Sequence, residues 1–168
     1  IIEISKKKEK LVLVDPKKSD FHPYKGADII TPNFNELLEA SKFEKNQKKE
    51  NNSNIVVTLS KELLSKYKFD AIVTTRSSDG ISIVDNNNDY LHLPSKAQEV
   101  FDVSGAGDTV IAYIAAGIAK GKSLFNATEI ANDAAGIAVG KFGTTVVNEK
   151  DLLNSHQSKK LLKLEELY

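Results

Sequence analysis

The sequence contains no cysteine, which excludes a disulfide scaffold and thiolate metal sites. Net charge is also missing, since 23 Lys and Arg balance 23 Asp and Glu. No overall field draws the chain to nucleic acid or to an anionic membrane. No apolar run is long enough to span a bilayer, and the longest, Val110 to Ala119, falls short of the roughly 20 residues required. No secretory signal pattern is legible, so a cytoplasmic protein is expected, without membrane or nucleic-acid partners. An initiating Met is absent and Ile1 to Lys8 reads as the end of a helix, which leads to the expectation of a fragment. Two familiar phosphate-binding patterns are missing as well. The most suggestive glycine pair, Gly105 and Gly107, is not followed by Gly-Lys-Ser/Thr and lacks the third glycine of a dinucleotide loop.

What is present is an ordinary globular composition over 168 residues, enough for one domain with a real core. The chain centres on Asp102-Val103-Ser104-Gly105-Ala106-Gly107-Asp108-Thr109, followed by an apolar segment, Val110 to Lys120, that reads as a buried helix. A small-residue loop opening a helix offers several unpartnered N–H groups to an anion, and glycine lets that anion come close. An acid beside such a nest suits general-base chemistry toward a hydroxyl that attacks phosphorus. It equally suits an ordinary acidic first helical turn.

The remaining chain reads as alternating strands and helices. Leu11–Val14 is expected as a strand buried on both faces, with Asp15 at its C-terminal end or serving as an Asp-Pro turn. Phe21 to Gly26 reads as a loop with His22 on its surface, and 27–30 as another strand. Asn33 and Glu36, before Leu37 and Leu38, have the spacing of a capping box, and a capped N-terminus also suits phosphate and Mg2+. Glu44 to Asn54 has no apolar residue and reads as solvated loop or helix surface. Ile55, Val56, Leu59, Leu63 and Leu64 share one helical face. A strand at 71–75 and a hairpin at 81–84 and 90–93 follow, with His92 expected on the solvent side. Asn132 lies on a small-residue helix over about 123–139, bonded either to a loop or to a ligand. A last strand is expected over 144–147 and an amphipathic helix over 152–167. The pattern predicts an α/β fold with a largely parallel sheet, segments 15–20, 31–36 and 75–80 lining one sheet edge together with 102–108.

Three motifs in order resemble the ribokinase-like (PfkB) sugar kinases. They are Asp102-x-x-Gly105-Ala106-Gly107-Asp108-Thr109, Thr31-Pro32-Asn33-x-x-Glu36, and Thr75-Arg76-Ser77-x-x-Gly80, where Ser77 stands in place of the usual Gly. Val14-Asp15-Pro16-Lys17, Gln98-Glu99-Val100 and Ala131-Asn132-x-Ala134-Ala135-Gly136 narrow the resemblance to the kinase domain of heptose 7-phosphate kinase/ADP-heptose synthase proteins. The resemblance covers residues 1–154 as the C-terminal part of that domain, with 155–168 a charged helical tail. It implies ATP-dependent phosphorylation of D-glycero-D-manno-heptose 7-phosphate at the anomeric hydroxyl. Asp108 would be the catalytic base, and Gly105, Ala106 and Gly107 the anion hole. Asn33, Phe34, Asn35 and Glu36 would face the ATP phosphates, with Asn33 and Glu36 holding Mg2+ through water. Thr75, Ser77 and Gly80 would line the nucleotide site, and Asn132 would lie near adenine. Asp102 and Ser104 match positions that bind a monovalent cation such as K+. A sugar phosphate is the expected partner, and self-association into a homodimer is open. Another PfkB sugar or nucleoside kinase, or a nucleotide-binding fragment without turnover, remain alternatives.

Overall fold

Apolar runs bounded by turn residues become strands, and apolar residues at helical spacing become the stripes that cover them. The computed structural model describes residues 1–17, 20–42, 53–97, 100–143 and 145–155. The chain divides into two compact units, Ile1–Ser95 and Lys96–Tyr168.

The first unit is a sheet flanked by helices. A short helix α1 (Ile2–Lys7) precedes strand β1 (Leu13–Val14). Strand β2 (Ile29–Ile30) leads to helix α2 (Phe34–Ala40), and helix α3 (Ser53–Tyr67) to strand β3 (Ala71–Thr75). Strands β4 (Ile81–Asp85) and β5 (Tyr90–Leu93) form the expected hairpin. The sheet order is β1-β2-β3-β4-β5. The pairs β1–β2 and β2–β3 are parallel, while β4 is antiparallel to both β3 and β5. Among the described residues, β4 alone therefore runs against the rest, and the sheet is mostly parallel.

Helix α3 buries Val56, Leu59, Leu63, Leu64 and Tyr67, which are spaced to fall on one stripe. They close over Ile30, Ile72 and Val84 of the sheet and Leu37 of α2. Each such side chain contributes about 1.5–3 kcal/mol when fully buried. Phe21, read from sequence as part of a loop, is wholly buried at the centre of an aromatic group with Tyr24, Tyr67 and Phe69. Its segment is a single 3-10 turn, His22–Tyr24, with His22 exposed as expected.

Strand β1 departs from expectation. Leu13 and Val14 are only half-buried and Leu11 is exposed. The strand lies at the sheet edge, and a continuous apolar run does not distinguish an edge strand from a central one. Most of 44–54 lies outside the described residues; Ser53 and Asn54 open α3.

The second unit is built on two helices, α4 (Ala106–Ala119) and α5 (Leu124–Val139). Ser123 caps α5 by accepting the Asn126 N–H at 3.2 Å. A Cβ built on Gly117 of α4 would stand 2.7 Å from the Ala127 Cβ of α5, so this glycine permits the close crossing. Gly136 does the same for the segment entering the unit, where a Cβ would meet Ala97 N and Lys96 C at 3.2 Å. There Lys96 pairs with the buried Asp133 at 2.7 Å.

The segment Val110 to Lys120, expected as a buried helix, is helical to Ala119 and buried on one face only. Val110, Ile114 and Gly117 are buried, whereas Ala112, Ala115, Ala116 and Ala119 are exposed. An all-apolar helix announces its composition, not which face finds a neighbour. The strand expected over 144–147 is also absent among the described residues: 145–147 pair with no ladder, and Thr144 lies outside the description. Val146 is exposed, while Val147 is buried against Ala134 and Ala138. Residues 149–155 are helical, opened by reciprocal bonds between Asn148 and Asp151, and the rest of the tail lies outside the described residues.

Candidate active site

In the first unit, the C-terminal ends of β1, β2 and β3 bring together three of the four segments the sequence assigns to one edge, those that begin at 15, 31 and 75. The Thr31 N–H donates to the Val14 carbonyl at 2.9 Å, and the Thr75 N–H to the Pro32 carbonyl at 3.0 Å. Asn33 and Thr75 form a parallel bridge. Asn33 then caps α2: its Oδ1 accepts the Glu36 N–H at 3.0 Å, and Glu36 Oε2 accepts the Asn33 N–H at 2.7 Å. The capping box expected from Asn-x-x-Glu is present in full. Asn33 and Asn35 are exposed, and Phe34 and Glu36 half-buried.

Burial pushes the Glu36 carboxyl up, the Asn33 N–H pulls it back, and the nearby Asp15 carboxylate raises it again against Lys17. Asp15 is itself paired with Lys17. The box uses one oxygen of Glu36 and the side-chain oxygen of Asn33. Among the described residues, no cluster of three acidic or imidazole groups forms a direct metal site. A Mg2+ ion keeps several waters and needs few protein oxygens, so the donor set fits a hydrated ion held through water.

Beyond Thr75 the chain turns through Arg76 to Gly80. Gly80 has φ +87°, and a Cβ there would lie 2.1 Å from the Leu93 carbonyl oxygen, so only glycine fits. Ser77 has φ +54°. It occupies the left-handed region that the glycine usual at this place adopts freely, so the departure seen in sequence changes the residue and leaves a backbone that glycine would favour.

Arg76 is the residue that sequence reasoning missed. Its guanidinium is buried, with Nη1 at 3.0 Å from Ser82 Oγ, 3.1 Å from Ser53 Oγ and 3.3 Å from His92 Nδ1. His92 is therefore not on the solvent side. Register pairs it with Ser82, whose Oγ lies 3.1 Å from the same ring nitrogen. Burial first, then Arg76, holds the imidazole below its ordinary range. The cross-strand Ser82–His92 pair was the available signal, since polar residues facing each other on an apolar hairpin need a partner.

In the second unit, the stretch 100–109 is tied to the end of α5: the N–H groups of Phe101 and Asp102 both donate to the Val139 carbonyl, at 2.8 and 3.2 Å. Asp102 Oδ1 accepts the Ser104 N–H at 2.8 Å. That bond, with the Ser104 hydroxyl, holds the Asp102 carboxyl below the usual carboxylate range. Gly105 then takes φ +78°, ψ 2°, and α4 begins. The helical ladder starts with the Thr109 N–H on the Gly105 carbonyl at 2.9 Å. The N–H groups of Gly107 and Asp108 have no carbonyl one turn back to reach, which leaves them for an incoming acceptor. A Cβ on Gly107 would meet nothing within 4 Å, so the space above this turn is open.

Asp108 is exposed on that first turn. A cavity of about 410 Å³ opens beside it, lined by Ser104, Gly105, Asp108, Thr109, Tyr113 and Val147 among others. The Tyr113 hydroxyl donates to the Val147 carbonyl at 2.8 Å and fixes one wall. An anion nest, an open first turn and an accessible carboxylate can together receive a charged group and take a proton from a hydroxyl beside it. Asn132 is buried on α5.

Residues 1–151 match the family model described as pfkB family carbohydrate kinase. The bifunctional protein HldE of Aeromonas hydrophila subsp. hydrophila is 44% identical over 144 residues, covering 86% of this chain and 29% of the relative. The chain thus spans less than a third of that relative's length. Among solved structures, phosphofructokinase-2 from Escherichia coli in complex with potassium superposes with a TM-score of 0.77 at 19% identity, over 91% of this chain and 48% of that one. Arabidopsis thaliana ribokinase complexed with ribose and ATP gives 0.75 at 22% identity, over 91% and 49%. Both likenesses establish a ribokinase-like fold.

Proposed function

The chain belongs to the pfkB family of carbohydrate kinases, and from that premise we propose that it carries the phosphoryl-transfer machinery of a heptose 7-phosphate kinase. The reaction moves the γ-phosphoryl group of ATP to the anomeric hydroxyl of D-glycero-D-manno-heptose 7-phosphate and releases ADP and the 1,7-bisphosphate. The observation that carries the chemistry is the left-handed Gly105 opening α4, with Asp108 exposed on the first turn beside a cavity. Identity to a bifunctional HldE protein supports the choice of sugar.

Phosphoryl transfer asks mainly for positioning and for neutralisation of charge. The N–H groups of Gly105, Ala106 and Gly107 receive the negative charge that builds on the transferring group, the Ala106 N–H giving up for it the 3.3 Å bond it makes to the Val103 carbonyl. Asp108 takes the proton from the sugar hydroxyl as its oxygen bonds to phosphorus. Asn33 and Glu36, both side chains fixed by their capping box, would hold a hydrated Mg2+, which would supply neutralisation of the phosphate charge. In the same reading, Phe34, Asn35, Thr75, Ser77 and Gly80 of the first unit serve the nucleotide, and Asn132, buried on α5 of the second, its adenine. The Asp102 carboxylate, kept ionised by Ser104, suits a monovalent cation such as K+. No helix among the described residues is long and apolar enough to cross a membrane; a cytoplasmic setting, in keeping with a sugar-phosphate substrate, is part of the same proposal. Residues 1–154 act in this reading as the C-terminal part of the kinase domain, with self-association as a homodimer.

The test is ADP release with heptose 7-phosphate, for this chain and for any longer protein that carries it, beside an Asp108→Asn variant. Loss of about 10²-fold or more in turnover with Mg-ATP affinity retained is the expected result. Turnover on a different sugar would leave the family and remove the substrate. A second reading, nucleotide binding without turnover, is met if Mg-ATP binds and no sugar is phosphorylated.

A further inference from the structure

We propose that Arg76 is a positioning residue for the nucleotide, acting through the turn 76–80 without touching the nucleotide itself. The inference rests on the reading above that Thr75, Ser77 and Gly80 face ATP.

Burying a guanidinium is costly unless its donors are satisfied. Here Nη1 alone lies within reach of three elements, sharing its two N–H groups among Ser53 at the start of α3, Ser82 on β4 and His92 on β5. Asp79, in the turn itself, lies 3.9 Å from Nη2. The backbone of the same residue closes the turn. The Arg76 N–H donates to the Gly80 carbonyl at 2.8 Å, and the Arg76 carbonyl accepts the Asp79 N–H at 3.1 Å. Main chain and side chain of one residue thus fasten the turn to the sheet and to α3.

The turn needs fastening because it stores strain. Ser77 sits at φ +54°, a left-handed conformation that a residue with a Cβ adopts only at a cost. Such residues persist where their surroundings over-determine them, and they cluster at ligand sites. On the other flank, Gly80 lies against the backbone of 93–95 so closely that no side chain fits. Between a fastened Arg76 and a wedged Gly80, Ser77 has one place to be. His92 completes the device. Its Nδ1 lies 3.3 Å from Arg76 Nη1 and 3.1 Å from Ser82 Oγ, so β5 joins the same polar group.

The experiment measures Mg-ATP affinity by calorimetry and amide hydrogen exchange on the chain, with Arg76→Lys and Arg76→Met. Lysine keeps the charge but has three N–H donors on one atom in place of five on a planar fork, and ends one bond short. Arg76→Met is expected to weaken Mg-ATP binding by about ten-fold or more, with Arg76→Lys between it and the parent. The turn N–H of Gly80 should lose protection in both variants while the β3–β4 ladder keeps it. A purely structural role would instead lower protection of the ladder and the turn together, overturning the proposal. Equal affinity for parent and Arg76→Lys would show that charge alone matters, and an opened turn with unchanged affinity would show that the turn does not place the nucleotide; either overturns it. If the parent chain itself binds no Mg-ATP while its turn is protected, the nucleotide reading fails and this inference falls with it.

Discussion

Replacing Gly117 by alanine tests the crossing of α4 and α5. The substitution should help on intrinsic grounds, since alanine is favoured over glycine by about 1 kcal/mol inside a helix. Packing opposes it. The new Cβ would stand 2.7 Å from the Ala127 Cβ and 3.2 Å from its Cα, where carbon atoms settle near 3.5–4.0 Å. The helices must part by about 1 Å at this point, and overpacking of that kind costs about 1–3 kcal/mol. A net loss of roughly 1 kcal/mol is expected, the difference of these two effects. The control lies in the same helix: Gly107→Ala, with nothing within 4 Å of its Cβ, should not be destabilising. The chain has no tryptophan, so urea unfolding is followed by far-UV circular dichroism. Adding Ala127→Gly to Gly117→Ala moves the methyl from one helix to the other and should recover most of the loss. A raised urea midpoint for Gly117→Ala, or no recovery in the double variant, would refute the packing argument.

Other outcomes follow from the first unit. Gly80→Ala combines φ +87° with a Cβ 2.1 Å from the Leu93 oxygen and should cost about 3 kcal/mol or more; a midpoint near that of the parent would show that residues 93–95 move aside freely. His92 is held below its ordinary pKa of 6.5, so the unfolded chain binds the proton first as pH falls. Stability should decline below about pH 6.5, and that part of the decline should vanish in His92→Gln; an unchanged pH profile would remove His92 as its source. Asp70 behaves oppositely, its carboxyl pushed up by burial and then by Asp28 above the ordinary 3.8. Its ionised form weighs against the fold at neutral pH, with stability recovering as pH falls through the raised value. Asp70→Asn should therefore raise the urea midpoint at pH 7, and a lowered midpoint would show that the bond from Asn86 outweighs the charge.

Much of this fold is legible from short-range pattern. The hairpin, β3, the capping box and the stripe of α3 all depend on neighbours within a few residues, which the sequence displays directly. What escapes is whatever depends on distant partners. Leu13 and Val14 read as buried because nothing in their apolar run says that, among the described residues, a strand pairs with β1 on one side only. Phe21 is a lone aromatic in a polar segment, and only the fold brings Tyr67 and Phe69 to it. Thr145 to Val147 have strand-like residues and no ladder to join. At the candidate site, Asp108, the glycines around it, and the Asn33–Glu36 pair stand out because small residues and carboxylates in those places have a chemical reason. Arg76 and His92 do not, since an arginine after a strand and a histidine between leucines both suggest solvent. Their burial follows from the register of β4 with β5, which no single residue reveals.

The reciprocal bonds between Asn33 and Glu36 bind two histories into one residue. Glutamine at position 36 would keep the bond to the Asn33 N–H through its side-chain oxygen and surrender only the charge. A lineage that abandoned the reaction while keeping its architecture could drift there at little loss, whereas alanine would also unfasten the helix. If Glu36 holds a hydrated Mg2+ as proposed, exchanging one oxygen for one nitrogen would release the ion and keep the cap, so the two roles of this side chain are separable by a single atom.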